Sequence, residues 1–214
     1  MAIKREKYLS LLLLSLLILN ASPNTVNANG GAVDFFKVCG QTPFPDVCQK
    51  MVSESQKHNI LSAEDYTTMG ISITFVATRQ LTTYLTDLTA NIKEGFTDPR
   101  TSGVLYDCLS LLKGSTSQLR TSVDEMNRLE PDQPWAVPLS NVETWMGAAL
   151  MNDETCLKGL TGIQQESPVK TDMFDRVTMV KKYTSVALVM VKILKVGDKQ
   201  NDTGIRPPVP PPQY

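Results

Sequence analysis

Apolar residues recur at steps of three and four along four long stretches of the chain, which is the spacing of one face of an α-helix. The stretch 105–129 is the most regular, and its pattern is typical of a helix packed along a nearly parallel or antiparallel neighbour. Its inward positions are Leu105, Cys108, Leu112, Ser115, Leu119, Ser122, Met126 and Leu129. This pattern predicts a helix whose packed face carries one cysteine.

The stretch 141–163 has the same periodicity, and we expect the rest of the chain to be organised around it. Its apolar side consists of Val142, Trp145, Met146, Ala149, Leu150, Cys156, Leu157, Leu160 and Ile163. Its outer side consists of Glu143, Thr144, Gly147, Met151, Glu154 and Lys158. Asp153 projects into the apolar arc, and we predict a capping or hydrogen-bonded structural role for it rather than catalysis.

Two further long helices are predicted, over 63–93 with Ser62 as its N-cap and over 171–197. A short helical piece is predicted over 47–57. The apolar stripe of the first long helix is Tyr66, Met69, Ile73, Val76, Leu81, Tyr84, Leu88 and Ile92. Eight threonines interrupt that stripe and lower its helix propensity, so this helix should depend on packing. The inward row of the second is Met173, Val177, Val180, Thr184, Ala187, Val191 and Leu194.

The chain has four cysteines, an even number that suits two structural disulfides. The turn 131–134 lies midway between Cys108 and Cys156, and its two prolines forbid a continuing helix. Helices that fold back about this turn bring the two thiols to the same level, within the distance that a disulfide needs. The remaining pair, Cys39 and Cys48, then closes a short proline-containing loop.

Four long helices joined by short turns predict an all-α, up-down-up-down four-helix bundle. No stretch alternates apolar and polar residues as a strand does, and no repeat of twenty to fifty residues is visible. A mature chain of this length can bury one adequate core. We therefore predict a single domain over 29–197.

Residues 1–28 have the composition of a secretory signal. Three cations, Lys4, Arg5 and Lys7, precede the apolar run 9–19, and small residues at 26–28 offer a cleavage site. The run has about eleven residues, whereas a bilayer span needs roughly twenty. The sequence therefore favours a secreted, extracellular protein over a membrane-anchored one.

The segment 198–214 carries five prolines in its last eight residues and no core-forming pattern. It is predicted to be a disordered or polyproline tail, and a partner with a polyproline groove or cell-wall material could dock on it. Asn201 begins the triplet Asn-Asp-Thr, which is an N-glycosylation acceptor sequence.

Catalytic chemistry finds little support in the sequence. His58, the only histidine, lies in a polar connector, and without a CxxC pair a zinc site is not expected. The acidic pairs 124–125 and 153–154 point about 100° apart on their helices, so they would not flank one substrate. The net charge of −1 gives no basic patch for nucleic acid. We predict no catalytic residue, no metal site and no cofactor.

Three motifs carry a family resemblance. They are CGQTPFPDVC at 39–48, YDC at 106–108, and ETWMGAAL at 143–150 followed by DETC at 153–156. Together they resemble the plant invertase and pectin methylesterase inhibitors, over residues 34–196. The resemblance implies an N-terminal helical hairpin (34–60) beside the four-helix bundle (61–197). It also implies disulfides that join the first cysteine to the second and the third to the fourth.

The resemblance implies a non-enzymatic inhibitor of the apoplast or cell wall, monomeric when free, that forms a one-to-one non-covalent complex with a carbohydrate-active enzyme. Such an inhibitor blocks the active-site cleft of its target. Family members that inhibit invertase carry a Pro-Lys-Phe element before the helix of the fourth cysteine, and the loop 131–138 has none. We therefore favour pectin methylesterase as the target. Cell-wall or vacuolar invertase is the alternative, and Met151, where a polar residue is common, bears on that choice.

Candidate contacts with the enzyme are the positions that the predicted core does not use. They are Thr121, Asp124, Glu125, Asn141, Glu143, Thr144, Gly147, Met151 and Glu154. Trp135 is predicted to cover the core rather than to anchor a partner. A different class, a secreted helical binder of lipids or wall polymers, predicts instead a cavity lined by Met and aromatic side chains. A hydrolase would need a second histidine or converging carboxylates.

Overall fold

The computed structural model describes residues 35–56, 62–91, 98–164 and 167–202. Six α-helices make up this part of the chain, and no strand occurs in it, as predicted for an all-α fold. The helices are α1 Phe35–Cys39, α2 Pro45–Gln56, α3 Ala63–Ala90, α4 Pro99–Met126, α5 Ala136–Thr161 and α6 Pro168–Asp202. The predicted signal segment, His58, the side chain of Asn201 and the tail beyond 202 lie outside what is described.

Side-chain caps fix the beginnings of α3 and α4. The hydroxyl oxygen of Ser62 accepts a hydrogen bond from the backbone N–H of Asp65 at 3.0 Å, as predicted for an N-cap. The carboxylate of Asp98 accepts from the N–H groups of Arg100 and Thr101 at 3.1 and 3.0 Å. The intervening Pro99 occupies the first helical position, where a missing N–H costs nothing.

The helix α5 begins at Ala136, five residues before the predicted start at Asn141. Pro138 does not prevent this, because the first N–H groups of a helix have no intrahelical partner to lose. The first bond of the helix runs from the N–H of Leu139 to the carbonyl of Trp135 at 2.9 Å. The proline therefore lies inside the first turn instead of ending the preceding loop.

The helix α6 is longer than predicted at both ends. It begins at Pro168, where Ser167 caps it by accepting from the N–H of Lys170 at 3.2 Å. It also continues through Gly197 to Asp202, so the predicted end at Gly197 is wrong. A glycine inside a helix costs only about 1 kcal/mol relative to alanine, which is too little to end a helix by itself.

Helices α3 to α6 form the predicted up-down-up-down bundle, in which each helix packs antiparallel to the next and α6 closes the ring against α3. The hydroxyls of Thr82 on α3 and Thr116 on α4 meet at 3.0 Å across one of these contacts. The short helices α1 and α2 precede the bundle, and α2 packs against α3 and α6. There, the backbone of Gly70 lies close to the side chains of Met51 and Met190.

The inward row predicted for α6 is correct, and that predicted for α4 is correct except for Leu129, which lies beyond the end of α4 and is only partly buried. Every position of the α6 row is buried, and so is every position of the α4 row up to Met126. These rows contribute to two core clusters: one includes the Cys39–Cys48 bridge and α2, and the other surrounds the Cys108–Cys156 bridge. The Cα atoms of Cys108 and Cys156 are 4.8 Å apart. The bundle core is therefore crosslinked between α4 and α5.

The apolar stripe predicted for α3 is partly wrong. Val76 and Tyr84 are 49% and 36% exposed. The buried row is instead Tyr66, Thr67, Gly70, Ile71, Thr74, Thr78, Leu81, Leu85 and Thr89. Threonine is tolerated there because its hydroxyl returns to its own helix: that of Thr74 donates to the carbonyl of Gly70 at 2.8 Å. Each buried threonine hydroxyl of this row has an acceptor. The methyl group of each threonine packs into the core as a methyl group of valine would.

Candidate functional site

The outer face of α5 carries a row of exposed residues, which we call the α5 ridge: Val137, Thr144, Met151 and Lys158. They recur every seven residues, close to two full turns, so they lie nearly in line along the helix. Val137 is 70% exposed and Met151 is 63% exposed. Two large apolar side chains thus stand in solvent on the helix that is crosslinked from behind by Cys156.

Gly147 lies on the same outer side of α5, between Thr144 and Met151. A Cβ atom added there would have no neighbour within 4 Å. Gly159 on the same helix differs, because a Cβ there would lie 3.2 Å from Cγ1 of Val104. Packing within the described chain therefore accounts for Gly159 but not for Gly147, and the helix surface is flat at Gly147.

Two ion pairs border the ridge on the side of α6. Lys195 Nζ lies 2.7 Å from Glu143 Oε2 and also donates to Ser140 Oγ at 2.8 Å. Lys181 Nζ lies 3.1 Å from Glu154 Oε1. Glu143 and Glu154, two of the predicted contact residues, are therefore each paired with a lysine of α6. The pairing orients the two carboxylates and partly neutralises their charge.

Contacts on the other side of the ridge join α5 to α4. Asn141 Nδ2 donates to Glu125 Oε1 at 3.5 Å, and Arg128 lies 3.7 Å from the other carboxylate oxygen of Glu125. Thr121 and Asp124 are exposed on α4, and the hydroxyl of Thr121 donates to a carbonyl of its own helix. No described hydrogen bond or ion pair links these two residues to α5.

The structure thus divides the predicted contact residues into a centre, two borders and two outliers. The centre is Thr144, Gly147 and Met151; the borders are Glu143 and Glu154 towards α6 and Asn141 and Glu125 towards α4; the outliers are Thr121 and Asp124. Sequence analysis missed Val137, because the start of α5 was placed at 141. A step of seven back from Thr144 would have found it.

Trp135 lies at the N-terminal end of α5 and is half-buried against the core. Its indole Nε1 donates to the carbonyl of Glu130 at 2.8 Å, which satisfies the one polar group of the ring. The residue covers the end of the core, as predicted, and is not an exposed anchor.

Asp153 is completely buried on the core side of α5. Its carboxyl accepts hydrogen bonds from Thr184 on α6 at 2.8 Å and from Ser115 on α4 at 3.4 Å. Burial raises the pKa of this carboxyl to about 7, against the lowering effect of the two hydroxyls. A group without contact with solvent cannot reach a substrate, so its role is structural, as predicted.

Other kinds of site find no support in the part of the chain described. It contains no group of three or more acidic, histidine or cysteine residues placed to hold a metal ion. None of its helices is long and apolar enough to cross a membrane. The core methionines Met146, Met173 and Met190 are at most 1% exposed, so they lie inside the described bundle. An open depression at the start of α6 is lined by Ser167, Pro168, Thr171, Asp172 and Asp175.

The fold and this surface define a disulfide-linked helical bundle with an exposed helix face and a buried apolar core. The chain belongs to the plant invertase/pectin methylesterase inhibitor family, whose model matches residues 36–190. Members of this family are inhibitors and not enzymes, so this is an inhibitor-type protein. The resemblance seen in the cysteine motifs is confirmed.

Individual relatives agree with this assignment. A "21 kDa protein" of Daucus carota is 28% identical over 83% of this chain and 90% of its own length. "Pectinesterase inhibitor 9" of Arabidopsis thaliana is 28% identical over 84% of this chain and 89% of its own. The crystal structure of a mutant pectin methylesterase inhibitor from Arabidopsis has a TM-score of 0.58 at 16% identity, covering 73% of this chain and 93% of that one. That structure supports the fold.

Proposed function

We propose that the protein is a secreted inhibitor of pectin methylesterase in the plant cell wall. It forms a one-to-one, non-covalent complex in which the α5 ridge and its borders cover the active-site cleft of the enzyme, and so it limits the de-esterification of pectin. Residues 1–28 serve as the signal and 29–197 as the inhibitor domain. The observation that carries this proposal is the outer face of α5, which exposes the apolar side chains of Val137 and Met151, is flat at Gly147 and is supported by α4 and α6.

Rigid support matters because a binding surface that is already ordered loses less entropy when it binds. The helix α5 is covalently joined to α4 by Cys156 and contacts both α4 and α6 along its length. Its borders are fixed by Lys195 and Lys181. The backbone of the ridge is therefore held in place by its neighbours, which reduces the entropy that it would lose on binding.

Gly147 favours close approach by a partner. Glycine inside a helix is destabilising by about 0.5–1 kcal/mol relative to alanine, and here no neighbour among the described residues requires it. A missing side chain between Thr144 and Met151 allows another protein backbone to come close to α5. Met151 then supplies a flexible apolar side chain at the centre of the contact.

The choice of pectin methylesterase over invertase rests on the loop before α5. Residues 131–138 contain no Pro-Lys-Phe triplet, the element expected in an invertase inhibitor of this family. "Pectinesterase inhibitor 9" of Arabidopsis thaliana supports the same target class by its name. Acid invertase remains the alternative target.

The function is tested by titrating the purified, oxidised protein against a pectin methylesterase and against an acid invertase and measuring the residual activity of each. Saturable loss of pectin methylesterase activity at one equivalent is the expected result. Loss of invertase activity alone would establish the alternative, and loss of neither would refute inhibition of both enzymes.

A pair of matched variants tests the surface. Gly147→Trp places a bulky side chain on the outer face of α5, whereas Gly103→Trp does the same on α4 outside the proposed surface. A Cβ at either position meets nothing within 4 Å, so both variants should fold. Gly147→Trp should weaken inhibition at least about tenfold, equivalent to 1.4 kcal/mol, while Gly103→Trp should leave it unchanged. Equal potency of the two variants would exclude the α5 ridge as the contact surface.

A further inference from the structure

A buried polar cluster lies at the centre of the bundle, behind the α5 ridge. Asp153 is two residues from Met151, so the two side chains point to opposite sides of α5. The carboxyl of Asp153 has no exposed surface, and neither have its two hydrogen-bonding partners, Ser115 and Thr184. The cluster therefore joins α4, α5 and α6 through one acidic group.

Each hydroxyl of the cluster has one proton and two acceptors within reach. Thr184 Oγ1 lies 2.8 Å from Asp153 Oδ2 and 3.0 Å from the carbonyl oxygen of Val180. Ser115 Oγ lies 3.4 Å from Asp153 Oδ1 and 3.2 Å from the carbonyl oxygen of Ala149. Both hydroxyls can therefore donate either to the carboxyl group or to the backbone.

This arrangement can satisfy the proton of a neutral carboxylic acid. In that form the acid O–H donates to Thr184 Oγ1 instead of accepting from it, and Thr184 in turn donates to the carbonyl of Val180. Ser115 donates to the carbonyl of Ala149 or to the second oxygen of the acid. An ionised carboxylate would receive only two hydrogen bonds, one of them at 3.4 Å, and a buried charge needs a countercharge as well.

The charged groups around Asp153 do not provide that countercharge by contact. Lys181 of α6 acts on it from a distance and is itself paired with Glu154 at 3.1 Å. Glu154, on the same helix as Asp153, opposes ionisation. From α4 the cluster receives the hydroxyl of Ser115, and the buried polar side chains of α3 are uncharged threonines. Burial accordingly raises the pKa of the Asp153 carboxyl to about 7.

We propose that Asp153 is a neutral carboxylic acid in the folded protein, so that folding takes up one proton and the contribution of this group to stability is greatest at acidic pH. The proposal does not depend on which enzyme the α5 ridge meets. An aspartate in the unfolded chain has a pKa of about 3.9, so it releases its proton below the pH at which the folded protein does. Stability from this group is complete below about pH 4 and is lost as pH rises towards about 7.

The test is urea unfolding of the full oxidised chain between pH 3.5 and 8. For one linked proton, the folding equilibrium constant should fall by up to about tenfold per pH unit within the window. Asp153→Asn, which is neutral at every pH and can donate to the same hydroxyls, should lose this slope. Asp107→Asn removes an exposed acid on α4 and should retain it. An unchanged slope in Asp153→Asn would overturn the proposal.

One further measurement covers the case in which Asp153→Asn does not fold. Carbon NMR of aspartate-labelled native protein should show one carboxyl that titrates near pH 7 and is insensitive to Asp107→Asn. If every carboxyl of the native protein titrates below about pH 5, the proposal is wrong.

Discussion

Lys195 on α6 forms an ion pair with Glu143 on α5. Its ammonium nitrogen lies 2.7 Å from the carboxylate and 2.8 Å from the hydroxyl oxygen of Ser140. The two charged side chains are 21% and 32% exposed, so solvent screens their attraction less than at an open surface. This contact holds the border of the α5 ridge in place from the neighbouring helix.

A double-mutant cycle with Lys195→Met and Glu143→Gln should give a coupling energy of about 1 kcal/mol in urea unfolding. The pair formed by Lys181 and Glu154 is the control, since it is longer at 3.1 Å and more exposed. Its cycle should give less than about 0.5 kcal/mol. Equal couplings in the two cycles would contradict the distinction drawn from burial.

Two helical glycines should respond in opposite directions to the same substitution. Gly147→Ala should stabilise the protein by about 0.5–1 kcal/mol, because the new methyl group enters open space on an exposed helix face. Gly70→Ala should destabilise it by about 1 kcal/mol net, because the Cβ would lie 2.9 Å from Sδ of the buried Met190. Thermal and urea unfolding measure both. Stabilisation by Gly70→Ala would mean that Met190 moves aside freely.

The two disulfides should differ in their contribution to stability. The Cys108–Cys156 bridge spans 48 residues and the Cys39–Cys48 bridge spans 9. On the chain-entropy model, removing the first pair by alanine substitution should cost about 4 kcal/mol and removing the second about 2.7 kcal/mol. Unfolding midpoints of the two double variants measure the difference. The first variant should also lose inhibition of its target enzyme, since the first bridge supports α5 directly.

A surface cluster on α3 and α6 should contribute stability at the acidic end of the pH range. Arg176 Nε donates to both oxygens of Asp172 at 2.9 Å, and the hydroxyl of Tyr84 donates to Asp172 at 2.7 Å. Mainly through Arg176, these contacts lower the pKa of Asp172. A lowered pKa gives stability that is present above the unfolded value of about 3.9 and is lost as pH falls through the folded value.

Asp172→Asn should therefore reduce stability at neutral pH by less than about 1 kcal/mol, because both partners are more than a third exposed. It should also flatten the decline below pH 4 while leaving the Asp153 window intact. Unfolding curves at pH 3 and pH 7 distinguish the two effects, which have opposite signs. A change confined to the range between pH 4 and 7 would contradict the assignment to Asp172.

The periodicity of the sequence was sufficient to predict that α4 and α6 exist and which of their positions face inwards, but not where the two helices begin and end. Both helices place apolar or small residues at unbroken steps of three and four. The polar residues at inward positions, such as Ser115, are small. The level of the Cys108–Cys156 bridge followed from the turn between the two helices. The spacing of apolar residues along the chain was therefore enough to predict most of the helical bundle.

The errors have physical reasons as well. On α3 the apolar pattern predicted that Val76 faces the core and that the threonines interrupt the buried face. In the structure Thr74 and Thr78 face inwards, because their hydroxyls donate to carbonyl groups of their own helix. The predicted start of α5 is too late because residues 131–138 were counted as loop, although Pro138 lies in the first turn of the helix.

The candidate surface was only partly predictable. The outer side of α5 is the complement of its buried face, so Thr144, Gly147 and Met151 could be found from spacing alone. The contacts that fix its borders could not, because they depend on the register of α5 against α6, which no local pattern specifies. The pairing of Lys195 with Glu143 required the structure.

Threonine in the core of α3 also matters for the chain before it folds. This helix lies outside both disulfide loops, so neither disulfide restricts it while the newly made chain folds. Strongly apolar segments at that stage tend to aggregate, and hydroxyl-bearing side chains reduce that tendency. The methyl groups that fill the native interior thus belong to residues that remain compatible with water during biosynthesis.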